Sequence, residues 1–296
     1  MKNEILETIQ KLSQIEKIKD VCHKQGLNFP MPSINTLQEI VQLCRSILFP
    51  GYFDEAPLNS ETLKFHIGVN VDRLLMLLSK EIKAGICFNG NTKITTEKCE
   101  ELDKISLQKA VEFILKLPEI RQKLYTDVIA IYNGDPAAKS FGEVIFCYPG
   151  LKAITNYRLA HALLKLDVPL IPRIITEMAH SETGIDIHPG AEIGEYFMID
   201  HGTGVVIGET SVIGNNVKMY QGVTLGAKSF PLDENGNPIK GIVRHPKIGN
   251  NVIIYSNSTI LGNITIGDGA VIGGNLWVDK DVPAGARLSQ DKNLNF

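Results

Sequence analysis

The hydrophobic period of the chain changes near residue 180. In residues 36–48 (TLQEIVQLCRSIL), 61–84 (ETLKFHIGVNVDRLLMLLSKEIKA) and 103–117 (DKISLQKAVEFILKL), apolar residues recur three and four apart. That spacing predicts helices that each bury one stripe. Pro50-Gly51, Asn89-Gly90 and Pro118 punctuate them. A further helical stretch, residues 151–165, closes this half, and Pro169 and Pro172 break it.

Beyond it the period is six. Aliphatic residues fall at Ile187, Ile193, Ile199 and Val205, then after a two-residue slip at Ile207, Ile213, Met219 and Leu225. After an interruption the series resumes at Ile248, Ile254, Ile260, Ile266, Ile272 and Val278, and glycine often follows the aliphatic residue. A period of six fits neither a helix nor simple strand alternation. It fits a flat-sided parallel β-helix with three faces, about eighteen residues per coil, whose aliphatic residues point inward and stack at the strand spacing of about 4.8 Å. Glycine or asparagine at the corners accepts the backbone angles of tight turns. The interruption between Leu225 and Ile248, rich in Pro, Gly and Asn, reads as a loop ejected from a corner, and long loops in compact repeats are often functional.

Composition narrows the classes of partner. The 44% apolar fraction of the 296 residues leaves no obstacle to a core in each half, and a net charge of −3 gives no electrostatic reason to expect nucleic acid or an anionic membrane. No apolar run reaches the roughly 18–20 residues of a membrane span, and the N-terminus lacks the pattern of a signal peptide. The expectation is a soluble, cytoplasmic protein. Five cysteines, Cys22, Cys44, Cys87, Cys99 and Cys147, are odd in number and show no CxxC pair, so neither a disulfide framework nor a cysteine zinc site follows.

The polar residues set into the repeat carry the candidate chemistry. His201, in Asp200-His201-Gly202-Thr203-Gly204, is suited to general-base work near neutral pH, and a hydroxyl acceptor needs such a base. Asp186 and Asp200 are the nearby carboxylates. Either could fix the imidazole or hold a substrate ammonium, and the fifteen residues from Asp186 to His201 fall short of the eighteen that stacking wants. Arg244 and His245 close the ejected loop, where the guanidinium could grip a carboxylate. His180, His188, His201 and His245 could supply zinc ligands, but their spacing is not that of a zinc site, and no metal is expected. Acyl transfer to a sugar or to another amino acid, a scaffold without activity and a zinc hydratase remain the rival readings of a β-helix.

The segments Asp186-Ile187-His188-Pro189, Asp200-His201-Gly202-Thr203-Gly204, Val206-Ile207-Gly208-Glu209-Thr210 and Arg244-His245-Pro246-Lys247-Ile248 resemble the serine acetyltransferases in the same order, as do Ile260-Leu261-Gly262-Asn263-Ile264 and the Asp135-Pro136-Ala137 step. The resemblance covers roughly residues 133–282. It implies an α+β multidomain chain. A helical N-terminal domain over 1–180 would serve assembly, and a left-handed parallel β-helix over 181–282 would carry the chemistry. An ejected loop, 228–246, and a tail, 283–296, complete it.

The resemblance also implies roles. His201 would be the general base and Asp186 its dyad partner. Asp135 and Asp200 would hold the substrate ammonium, and Arg244 and His245 its carboxylate. Gly226, Ala227, Ser256 and Gly274 would line a groove for acetyl-CoA between neighbouring β-helices, with a main-chain amide near Ala227 facing the thioester oxygen. The implied reaction is acetyl transfer from acetyl-CoA to L-serine in cysteine biosynthesis, inhibited by L-cysteine. The implied assembly is a homotrimer or a dimer of trimers. Three features depart from the pattern. The family's Gly-Gly-Thr-Gly-Lys stretch reads Gly226-Ala227-Lys228-Ser229-Phe230, before a longer loop. The chain ends Asn293-Leu294-Asn295-Phe296 rather than in the isoleucine that enters the partner sulfhydrylase, so a complex with O-acetylserine sulfhydrylase is not expected.

Overall fold

The structure, a computed structural model, describes residues 2–14, 31–54, 59–89 and 96–290. Cys22, Gly90 and the last four residues, Asn293 to Phe296, lie outside them.

Helices fill the first part: α1 (Lys2–Leu12), α2 (Ile34–Leu48), α3 (Leu63–Asn89), α4 (Thr96–Gly134), α5 (Phe141–Cys147), α6 (Pro149–Leu164) and α7 (Ile171–Thr183). α4 differs from expectation, because Pro118 sits inside it rather than ending it. Its buried stripe explains why. Ala110, Phe113, Leu117, Ile120, Leu124, Val128 and Ile131 continue at three- and four-residue steps through the proline, and burial on both sides outweighs one lost hydrogen bond. α7 is the second difference. α6 ends at Leu164, ahead of Pro169 and Pro172 as expected, but a further helix follows with Pro172 in its first turn, where no intrahelical N–H is needed.

Among the described residues, fourteen two- or three-residue strands then wind into three parallel sheets. Face A holds β1 (Asp186–Ile187), β4 (Val206–Ile207), β7 (Thr224–Gly226), β10 (Thr259–Leu261) and β13 (Trp277–Val278). Face B holds β2 (Glu192–Ile193), β5 (Val212–Ile213), β8 (Lys247–Ile248) and β11 (Thr265–Ile266). Face C holds β3 (Met198–Ile199), β6 (Lys218–Met219), β9 (Ile253–Ile254), β12 (Val271–Ile272) and β14 (Arg287–Leu288). β14 adds a rung after the last hexad. Along face A, Ile187, Ile207, Leu225, Ile260 and Val278 stack in register, all buried. These are the hexad residues, so the six-residue period is the inward-pointing column of a left-handed parallel β-helix.

The two-residue slip acquires a shape. Asp186 pairs with Val206, so the first coil takes twenty residues, whereas the next, Val206 to Thr224, takes eighteen. The extra pair bulges from the corner between faces C and A, around Asp200-His201-Gly202.

A buried clamp docks the helices on this first coil. Arg158 of α6 donates from Nε and Nη2 to Asp127 of α4 at 2.7 and 2.9 Å, and also to the Gly194 carbonyl at 2.8 Å. The Phe197 amide adds a third bond to Asp127 at 3.0 Å. Burial penalises the Asp127 charge, and these donors oppose that penalty. Tyr157 Oη reaches the Ala191 carbonyl at 2.5 Å. The outward side of β3 is thereby covered: Met198 is fully buried, and its thioether presses on Gly134 at the end of α4.

Candidate active site

Two corners of the coil stack carry the candidate residues. At the corner between faces C and A, the bulge holds His201 at φ 56° and Gly202 at φ 86°. Left-handed backbone is unusual for a histidine and marks a position fixed by its surroundings. Gly202 is required there, since a Cβ would overlap the Ile185 side chain below it. The bulge thrusts the imidazole outward. Its side chain is 72% exposed, with Nδ1 3.7 Å from Asp200 Oδ1.

Asp135, just beyond α4, joins this corner. Its carboxylate accepts from Tyr148 Oη at 2.5 Å and from the Ala137 amide at 2.8 Å. The Tyr148 bond, then the amide and the nearby His201, hold Asp135 below the usual carboxylate range. The same bond pushes the Tyr148 phenol well up, so it remains a donor. Tyr220 stacks on Tyr255 one coil away, with centroids 5.3 Å apart, and senses the charges of Asp200 and Asp135. This corner is a shallow, acidic, aromatic-walled site around one exposed imidazole.

The corner between faces A and B is basic and ordered. The Arg244 guanidinium donates to Glu209 Oε2 at 2.7 Å. Thr210 is the hub: its Oγ1 accepts from the Arg244 and His245 amides at 3.0 and 3.2 Å and lies 2.8 Å from His245 Nδ1. The Thr210 amide also donates to that Nδ1, at 3.1 Å. Nδ1 is therefore an acceptor, which puts the ring proton on Nε2. Burial, then the Arg244 charge, lower the His245 pKa to about 4, so the ring is a neutral donor. Its ring occupies the place a side chain at residue 208 would need, which is why Gly208 stands there. Burial, then the Arg173 charge, lower the His188 pKa below its ordinary value, and its Nδ1 accepts from the Gly190 amide at 3.0 Å.

Asp186 faces outward from β1, between the corners. Among the described residues no hydrogen bond or ion pair joins it to His201. Its carboxylate instead gathers with Glu177 and His180, one ligand atom from each lying within 4.8 Å of the others. The four histidines weighed as zinc ligands do not gather among the described residues. The groove residues divide between the same corners. Gly226 ends β7 and Ala227 follows it, whereas Ser256 and Gly274 sit on successive coils at the C–A corner, a Cβ at Gly274 meeting the Ser256 carbonyl at 3.2 Å. The sequence reading did not single out Tyr148, Thr210, Glu209 or the Asp127–Arg158 clamp. Glu209 and Thr210 lay within a recognised motif, whereas Tyr148 and the clamp act across 13 and 31 residues of chain and leave no local pattern.

An exposed histidine on a coil corner of a three-faced parallel β-helix built on a six-residue period is the frame of a hexapeptide-repeat acyltransferase. Residues 245–280 match the bacterial transferase hexapeptide (six repeats) family. The chain is 51% identical to a plasmid-encoded serine acetyltransferase of Synechococcus elongatus over 263 residues, 88% of this chain and 82% of that protein. The crystal structure of Entamoeba histolytica serine acetyltransferase 1 in complex with L-cysteine superposes with a TM-score of 0.73 at 36% identity, covering 89% of each chain. That of the Neisseria gonorrhoeae serine acetyltransferase in complex with serine gives 0.54 at 27% identity, covering 91% of this chain and 98% of that one. The chain belongs to the serine acetyltransferase family.

Proposed function

We propose that the protein transfers the acetyl group of acetyl-CoA to the hydroxyl of L-serine, giving O-acetyl-L-serine and CoA. The observation that carries the reading is the division of the site. One corner offers carboxylates and a base, the other a guanidinium and a neutral imidazole donor, and face A separates them. L-serine has an ammonium, a carboxylate and a hydroxyl to match. A second copy beside the first, related by a threefold axis along the coil stack, brings the A–B corner of one chain against the C–A corner of the next.

In that arrangement Asp135 and Asp200 hold the ammonium, while Arg244 and His245 of the adjoining copy hold the carboxylate. His201, paired with Asp186 once its exposed ring turns inward, removes the proton from serine Oγ as the oxygen attacks the thioester carbon. The amide near Ala227 takes the developing oxyanion. Collapse of the tetrahedral adduct breaks the C–S bond, and the imidazolium returns its proton to the departing CoA thiolate. No acyl-enzyme is formed, because no cysteine or serine adjoins His201. Gly226 and Ala227 on one wall, with Ser256 and Gly274 on the other, line the groove for the CoA arm.

The Entamoeba enzyme's complex with L-cysteine supports competitive feedback by cysteine in the serine site. No helix among the described residues is long and apolar enough to cross a membrane, in keeping with a cytoplasmic biosynthetic enzyme. Exposed Phe65, Val69 and Met76 on α3, with Leu107, Val111 and Leu115 on α4, support a further contact through the helices that joins two trimers. The test is release of free CoA thiol with L-serine, L-homoserine and a sugar acceptor, with and without L-cysteine. L-serine should be the best acceptor and cysteine should suppress the release. A sugar succeeding where serine fails overturns the reading.

A further inference from the structure

The last turn of α7 stands beside the first coil in a way the reaction above does not use. Arg173, Glu177 and His180 follow one another at four- and three-residue steps, so they share one helix face. Arg173 pairs with Glu177, and Glu177 Oε2 holds His180 Nδ1 at 3.0 Å. The helix stops at Thr183 because Gly184 adopts φ 70°, and two residues later the chain presents Asp186. The Gly184 carbonyl accepts from the Gly204 amide at 2.8 Å, which ties this turn to the bulge that carries His201. The result is the cluster in which the polar atoms of Glu177, His180 and Asp186 lie within 4.8 Å of one another.

We infer that His180, gripped by Glu177, is a positioning residue that fixes the Asp186 carboxylate for its work with His201. This rests on the proposed serine acetyltransferase reading and extends it to a residue outside the site. An imidazole flanked by two carboxylates hands one N–H to each when doubly protonated and serves one of them when singly protonated. With Nδ1–H given to Glu177, the Nε2–H of the doubly protonated ring is the group that can restrict the rotamers of an outward aspartate that β1, a strand of two residues, does not itself restrain. The Arg173 guanidinium already neutralises Glu177, which favours an orienting chain over a cation site. His180 and Glu177 are about two-fifths exposed, at 42% and 41% of their side-chain area, so removing either leaves the fold standing.

The test is a double-mutant cycle read in kcat and KM. His180→Ala should lower kcat about tenfold, with KM for L-serine and acetyl-CoA and the melting temperature essentially unchanged. Glu177→Gln should fall between wild type and His180→Ala, and His180→Gln, which keeps an N–H donor, should recover part of the loss. In an Asp186→Asn background, His180→Ala should cost nothing further, an outcome that a merely structural role would not produce. Equal losses in both backgrounds, or a kcat within twofold of wild type for His180→Ala when Asp186→Asn is impaired, overturns the inference and leaves the proposed reaction intact. An unimpaired Asp186→Asn removes the dyad and this inference together, while wild type failing on serine removes the reaction itself.

Discussion

The two corners of the first coils carry the same residue type in opposite states. His201 stands 72% exposed on a two-residue bulge, with carboxylates around it. His245 is only 6% exposed, its Nδ1 committed to Thr210, its charge excluded by burial and by Arg244. One ring stands open to solvent, and the other is held as a fixed neutral donor. The backbone frames also differ, since a two-residue bulge carries His201 whereas His245 closes the loop between β7 and β8. What separates the two imidazoles is exposure and the count of committed hydrogen bonds, not the side chain.

Removing the free imidazole should break the comparison hardest. His201→Ala is expected to lower kcat about 10²-fold or more with little change in the KM for L-serine, measured by thiol release. Next is the basic corner. Arg244→Ala should raise the KM for L-serine about 10- to 100-fold and affect kcat less, because a charge-assisted bond to the substrate carboxylate is present in both ground and transition states. Arg244→Lys should recover only part of that affinity, as a point charge lacks the fork.

The smallest effect sharpens the comparison through stability. The unfolded His245 protonates near 6.5, whereas the folded ring resists protonation down to about 4. The unfolded state therefore binds the extra proton first. The contribution of His245 to stability is complete above 6.5, declines as pH falls through that window, and is flat below it. Denaturant titrations at pH 7 and 4.5 should show wild type losing about 2 kcal/mol more than His245→Gln.

Much of the coil stack is legible in the sequence because each inward position is a single buried aliphatic that recurs with the rung. Ile187, Ile207, Leu225, Ile260 and Val278 announce face A before any contact is known. The slip between Val205 and Ile207 is legible too, and it marks the bulge that exposes His201. The helical half yields less. A proline reads as a stop, yet Pro118 lies within a continuous buried stripe and Pro172 opens α7. The acidic cradle depends on Tyr148 reaching Asp135, and the docking of the helices on Arg158 reaching Asp127; both are contacts between separate elements that no period encodes. The gathering of Asp186 with Glu177 and His180, one polar atom of each within 4.8 Å of the others, is likewise tertiary.

The central claim is that a working site takes its base from one chain and its carboxylate grip from the next. Subunit exchange tests it most directly. His201→Ala and the double variant Arg244→Ala/His245→Ala, each expected to be nearly inactive alone at L-serine well below the KM of the double variant, are mixed in equal amounts, dissociated and reassembled. Random assembly then places an intact C–A corner against an intact A–B corner at roughly a quarter of the interfaces. The account predicts recovery of about a quarter of wild-type activity toward L-serine. Recovery no greater than the sum of the two parents, with mixed trimers verified by mass, would contradict it, because each site would then lie within a single chain.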